Sequence, residues 1–303
     1  MPGELQIPNW EWWIVVYFFV GGIAGGAYFT SAIIELVGRP EDRPIARMGY
    51  YIAFPLSLVS AVALIADLGS PARFWHMVVY SRTFLPMPKW DSPVSVGAYA
   101  LLFFGGFSFL SFLDALVETG RLPWAPFREK YSGMPRMIYS ILGGLNGFFL
   151  ASYTGVLLAH TQLPAWADTP LLGALFVASG ASTGMAAIAL GLALTPQGVD
   201  IGESWAKLKQ ADNMAMILEI ALLVVMLVWL GSAAAPLLSG LNGILLIGGA
   251  LLVGLIVPLA MQFRAGFQGV KASANVTLVT SLLILVGGFI MRTVIVMAPQ
   301  GLL

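Results

Sequence analysis

The chain has 303 residues, of which 58% are hydrophobic and 10% charged, with a formal net charge of zero and no cysteine; its mean hydropathy is +0.86. A soluble domain carries about 25% charged residues, so this composition cannot cover a water-facing surface, and the chain reads as an integral membrane protein. The charge balance gives no reason to expect a nucleic acid. The lack of thiols excludes disulfides, thiolate metal sites and iron–sulfur ligation by this chain.

The start, Met1-Pro2-Gly3-Glu4, has no basic region of the kind that opens a cleaved signal peptide. Only a helix satisfies its own backbone in lipid, and about 20 apolar residues are needed to span it. Eight such stretches occur, near Trp13–Val37, Arg47–Leu68, Val94–Val117, Met137–His160, Leu171–Leu194, Met214–Gly231, Leu241–Gln262 and Val276–Met297. The expected fold is all-α with eight transmembrane helices, so both termini lie on one side.

Basic residues give the orientation. Arg39, Arg43, Arg47, Arg121, Arg128, Lys130, Arg136, Lys207, Lys209, Arg264 and Lys271 fall opposite the termini, against Arg73, Arg82, Lys89 and Arg292 on the terminal side, eleven against four. The termini are therefore expected on the periplasmic or exterior face. Trp10, Trp12, Trp13, Trp75 and Trp90 suit an aromatic belt there.

The first helix contains Gly21-Gly22-Ile23-Ala24-Gly25-Gly26-Ala27 and the fifth Ala178-Ser179-Gly180-Ala181-Ser182-Thr183-Gly184, runs that let helix backbones approach closely. Each follows a Phe-Val pair, and both helices cross in the same direction. This hints at a parallel repeat of two four-helix bundles, residues 1–165 and 166–303. The second helix ends in Ala66-Asp67-Leu68-Gly69-Ser70-Pro71-Ala72-Arg73-Phe74-Trp75-His76-Met77, which delivers a carboxylate, a guanidinium, an indole and an imidazole in quick succession. The loop beyond it, stiffened by Pro71, Pro86, Pro88 and Pro93 and decorated by Phe84, Met87 and Trp90, suits either docking of another subunit or the cover of its own helix ends. The loops Glu118–Arg136 and Gln197–Asp212 read as solvated linkers, with Ser204–Asp212 suited to a short amphipathic helix.

Ionisable groups in spans are costly and point to function. Asp67, Arg73, His76, His160 and Arg292 gather near the exterior face, either as an interfacial ion network or as a site for an amphipathic ligand that exchanges protons. A quinone fits the second reading, with His160 or His76 as proton acceptor, Tyr153 as donor to a carbonyl and Asp67 orienting an imidazole or passing on a proton. Glu219, Asp114 and Glu35 lie toward the other face, either as parts of a proton route or with Glu219 satisfied by a neighbouring helix and Glu35 and Asp114 near enough to water to be ordinary. Because His76 is in a loop and His160 at a helix end, no haem is expected, nor any metal redox centre.

Five segments resemble the NrfD/PsrC family, the membrane subunit of polysulfide reductase and related oxidoreductases. They are Tyr17–Ala27, Asp67–Trp75, Ser92-Pro93-Val94-Ser95-Val96-Gly97, the stretch from Tyr153-Thr154-Gly155-Val156-Leu157-Leu158 to Thr169-Pro170-Leu171-Leu172, and Gly287-Gly288-Phe289-Ile290-Met291-Arg292. The resemblance implies a subunit of the bacterial or archaeal cytoplasmic membrane that exchanges electrons with menaquinone or ubiquinone near its exterior face. It also implies a ferredoxin-like iron–sulfur partner, often joined to a molybdopterin catalytic subunit, and no catalysis on the terminal substrate by this chain alone. Carried over, the quinone pocket would involve Asn9, Trp10, Asp67, Arg73, His76, Tyr153 and His160, with Arg73 touching the quinone or structural. Val94 and Val96 stand where the family pattern has Met and Trp, which bears on pocket shape. The rival classes are a secondary transporter built on midplane polar groups and a pure anchor with no quinone site.

Overall fold

The computed structural model describes residues 10–80, 82–124, 133–195, 202–267 and 274–303. Among them the chain is helical throughout, with one isolated antiparallel bridge between Val79 and Pro86. Among the described residues, eight helices are long and apolar enough to cross a membrane. They are α1 (Trp12–Val37), α2 (Arg43–Asp67), α3 (Pro93–Glu118), α4 (Met134–Ala159), α5 (Leu172–Ala193), α6 (Gly202–Leu230), α7 (Gly240–Gly243, Ile244–Ile256 and Val257–Phe267) and α8 (Ala274–Met297). The Ile244–Ile256 stretch of α7 is wound as a π-helix, and there α7 meets α8 glycine to glycine at Gly254 and Gly287.

Helix α1 packs along α2 and α4, and α3 closes this first group against α2 and α4; α5 forms the junction between it and a second group, α6, α7 and α8, packing on α1, α2 and α4 and also on α6 and α8. The two small-residue runs that suggested a repeat face each other across this junction. A Cβ on Gly25 would stand 2.5 Å from the Gly147 carbonyl oxygen, and one on Gly26 would collide with the Gly180 carbonyl. With lipid tails as apolar as the side chains, such backbone approach is what packing energy between helices requires.

Both chain ends described lie at the same end of the bundle. The Trp10 N–H donates to Gln300 Oε1 at 2.8 Å, and Gln300 Nε2 returns a bond to the Trp10 carbonyl at 3.2 Å. Trp12 and Trp13 are exposed beside them, as is Trp90 in the loop before α3.

Helix α6 departs from expectation. Ser204–Asp212 is neither a linker nor a separate helix but the first turns of α6, with Ser204, Leu208 and Asp212 buried. Buried polar residues at helical spacing lengthen the span beyond what an apolar window detects. Likewise α2 begins at Arg43 rather than near Arg47, because Arg43 is held in an ion cluster at the face opposite the termini. Arg128, Lys130 and Lys271, part of the charge tally, and Gln197 lie outside the described residues.

Candidate functional site at the terminal face

Helix α2 stops at Asp67, and Pro71–Met77 forms a single 3₁₀ segment led by a proline whose missing N–H costs nothing at a helix start. The backbone then folds back: Tyr80 N–H donates to Leu85 at 3.0 Å, Phe84 N–H to Tyr80 at 2.8 Å and Met87 N–H to Val78 at 3.2 Å. This hairpin lies against the start of α3, where the Lys89 N–H donates to Ser95 Oγ at 3.2 Å and the Tyr99 hydroxyl donates to the Val78 carbonyl.

Between hairpin and helix start is a half-open cavity of about 370 Å³, lined by His76, Met77, Val79, Tyr80, Met87, Lys89, Ser92, Val94 and Ser95. That is within the usual size of small-molecule sites, and its mixture of apolar wall and a few convergent polar groups is typical of them. His76 is exposed, its ring 3.8 Å from that of Trp75 in an edge-on arrangement.

Tyr153, on α4, is buried just behind this wall. Its hydroxyl donates to the Pro93 carbonyl at 2.5 Å, and its ring lies over Gly97, where a Cβ would collide with it. The phenol proton is thus committed to the first turn of α3, which leaves its oxygen lone pairs to accept. His160 caps α4 at the same face; its Nδ1 lies 3.0 Å from the Val156 carbonyl, so a proton there leaves Nε2 as the free acceptor on an exposed ring.

The other expected residues are placed differently. Asp67 is half-buried at the end of α2, with the Glu11 carboxylate as its charged neighbour. Arg73 is exposed and makes no ion pair with Asp67 among the described residues. Trp10 lies on the side of the second helix group, stacked on Trp166 at 5.4 Å, while Trp166 donates its indole N–H to the Ile295 carbonyl at 2.6 Å. Asn9 lies outside the described residues.

Arg292 and Glu219, expected near opposite faces, belong to one buried group. Because α6 starts at Gly202, Glu219 lies roughly 16 Å from its Leu230 end, and Arg292 lies roughly 8 Å from the Met297 end. Two serines of α5 join them: Ser182 donates to Glu219 Oε2 at 2.6 Å, and Arg292 Nη1 donates to Ser179 Oγ at 2.9 Å. The guanidinium is fully buried between the rings of Phe176 and Phe19, at 5.4 and 5.8 Å from their centroids. The expectation that polar groups collect only at the faces is therefore corrected, since α5 presents hydroxyls at depth to both charges.

Glu35 and Asp114 do lie at the opposite face, but neither is an ordinary wetted acid. Arg43 pairs with Glu35, with Asp114 at 3.5 Å and with Glu118 at 2.8 Å, while Arg136 pairs with Asp114, with Glu118 at 3.6 Å and with Glu35 at 3.9 Å. Five charges from four helices close that end of the first group, and Asp114 is 2% exposed.

Sequence reading found His76 but missed Tyr80, Lys89, Ser92 and Ser95 around it. The prolines of the loop and the Ser92-Pro93-Val94-Ser95 segment were the available signals. Among the described residues, no group of three or more His, Cys, Asp or Glu is arranged to hold a metal ion.

Comparison with known proteins bears on nearly the full length. The sequence is 27% identical to the C chain of the polysulfide reductase of Wolinella succinogenes over 309 residues, covering 96% of this protein and 94% of that one. It is 26% identical to the protein NrfD homolog of Haemophilus influenzae over 314 residues, covering 99% and 97%. A shorter stretch of 74 residues is 29% identical to the C subunit of the selenate reductase of Mesobacillus selenatarsenatis, covering 24% of this protein and 17% of that one. The profile of the family described as polysulphide reductase, NrfD, matches residues 2–303, and the chain belongs to that family.

Proposed function

We propose that this protein is the membrane anchor of a reductase-type respiratory complex and exchanges electrons between the membrane quinone pool and an iron–sulfur partner subunit. The observation that carries the reading is the cavity beside His76. Its lining combines an imidazole, a phenol, an ammonium and two hydroxyls with Met77, Val79, Met87 and Val94, the donors and apolar surface a quinone head group needs. Full-length similarity to the C chain of a polysulfide reductase, and partial similarity to the C subunit of a selenate reductase, support assembly with catalytic partners.

A quinol supplies two electrons and two protons on oxidation, and the protein's own residues handle the protons. In this reading His76 would accept one of the two protons and His160 Nε2 the other, each returning it to the aqueous face. Tyr153 holds the first turn of α3 in place through Pro93, and Asp67, half-buried at the end of α2, is the carboxylate that orients an imidazole or passes on a proton. Arg73 and Trp10 stand outside the cavity wall. Val94, smaller than the residue the family pattern has there, enlarges the cavity and tunes quinone preference. Electrons leave directly to the partner, docked on the exposed Phe74, Phe84, Leu85 and Trp90.

Reconstitution tests this. His76→Gln in the intact complex is expected to lower quinol-driven reduction of the partner at least tenfold while complex assembly is unchanged. Full activity in His76→Gln, Tyr153→Phe and Asp67→Asn would refute the site.

The buried Glu219–Arg292 group supports a second reading, ion translocation, with Asp114 and Glu35 at the far face as further stations. It predicts proton movement across proteoliposomes that Glu219→Gln abolishes; electron transfer without such movement removes it.

A further inference from the structure

Phe84 is the one non-glycine residue with a left-handed backbone among those described, at φ 53°. A side chain with a Cβ is unfavourable there, and an aromatic one is a genuine outlier. Asparagine or glycine would hold this turn at lower cost, so the contacts of the ring offset the cost of the backbone. Its ring is stacked on Trp75, with centroids 5.9 Å apart and planes 7° from parallel. Trp75 in turn meets His76 with ring centroids at 3.8 Å and planes at 80°. Phe84 is 71% exposed and Trp75 half-buried, so neither is held by a core; they are held by one another and by the hairpin bonds from Phe84 to Tyr80 and from Tyr80 to Leu85.

We propose that Phe84 is a positioning residue: its turn presses the ring onto Trp75, and Trp75 in turn fixes the His76 imidazole at the edge of the cavity. The inference rests on the quinone reading for its functional consequence, but the geometric claim stands apart from it. Without the stack, Trp75 is free to rotate and His76 loses its only ring neighbour among the described residues. Ligand binding then suffers from the ordering of a loose imidazole rather than from loss of a contact.

The variants Phe84→Gly, Phe84→Ala and Phe84→Tyr separate the possibilities, measured in the intact complex. Phe84→Gly relieves the left-handed backbone, so its thermal stability is expected to equal or exceed that of the parent. Its Kd for a short-chain quinone is nevertheless expected to rise about two- to tenfold, the range an aromatic pair supplies. Phe84→Ala is expected to lose binding equally, and Phe84→Tyr, which keeps the stack, to retain it. A stability gain with weakened binding is a pair of signs that a merely structural residue does not give.

A second measurement is independent of any ligand. The protein has two histidines, so imidazole nuclear magnetic resonance signals are assigned with His160→Gln, and His76 carries the ring-current shift of Trp75. Phe84→Gly is expected to collapse that shift and leave His160 unmoved. An unmoved His76 signal in Phe84→Gly overturns the proposal, including the case where the only effect is weaker capture of the iron–sulfur partner. A collapsed shift with unchanged quinone Kd instead leaves the positioning intact and overturns the quinone reading of the cavity.

Discussion

Glu219 and Arg292 provide the sharpest energetic prediction. Replacing Glu219 by Gln leaves a guanidinium with no exposed surface and with its Nε and Nη2 already lacking hydrogen-bond partners. Breaking a buried pair on one side costs about 3–5 kcal/mol because the surviving charge is uncompensated. Here the charges communicate through Ser182 at 2.6 Å and Ser179 at 2.9 Å rather than by direct contact, which favours the lower end, about 3 kcal/mol. At about 2 °C per kcal/mol for a large protein, the midpoint should fall by roughly 6 °C. Circular dichroism melts in detergent give this directly. The double variant Glu219→Gln/Arg292→Gln removes both charges and keeps polar groups for the serines, so it should recover at least half of the loss. Additive losses in the double variant, or an unchanged midpoint in Glu219→Gln, would show that the two charges do not sense one another.

Three further outcomes follow from the geometry. Gly26→Ala drives a Cβ into the Gly180 carbonyl and should destabilise the junction of the two helix groups by about 1–3 kcal/mol, seen as a lower midpoint; Gly106→Ala, with open space around it, is the control. Arg136→Gln leaves the buried Asp114 with Arg43 at 3.5 Å and should cost about 2–3 kcal/mol, with recovery in Asp114→Asn/Arg136→Gln. Val94→Met narrows the cavity wall and should change the ratio of KM values for menaquinol and ubiquinol analogues by about fivefold or more, since one methylene of apolar fit is worth about 1–3 kcal/mol, without altering the midpoint.

Much of the scaffold was legible because each span is a long apolar run whose length is dictated by the bilayer, and the loop after Asp67 announced itself by its polar density. What the spans do not encode is which face of each helix meets which neighbour. Helices that are apolar all round give no stripe to read, so neither the contact of Gly26 with Gly180 nor the joining of Glu219 to Arg292 through α5 was visible. Asp114 and Glu35 looked wetted because each sits near a helix end; only the convergence of α1, α2, α3 and α4 turns them into partners of Arg43 and Arg136. At the site, His76 was found from its residue type, whereas Lys89, Ser92 and Ser95 reach it only because the backbone folds back between Val79 and Pro86, a tertiary event with no periodic signature.

The central claim is that a quinone head group binds beside His76, and photoaffinity labelling tests it most directly. The purified complex is irradiated with an azidoquinone, digested, and the labelled peptides are identified by mass spectrometry, with an excess of unmodified quinone as competitor. The account predicts competitor-sensitive labelling confined to the stretch from His76 to Ser95, and its loss in His76→Gln. Labelling that falls instead on the Trp10–Trp166 side, or that the competitor does not displace, would contradict it.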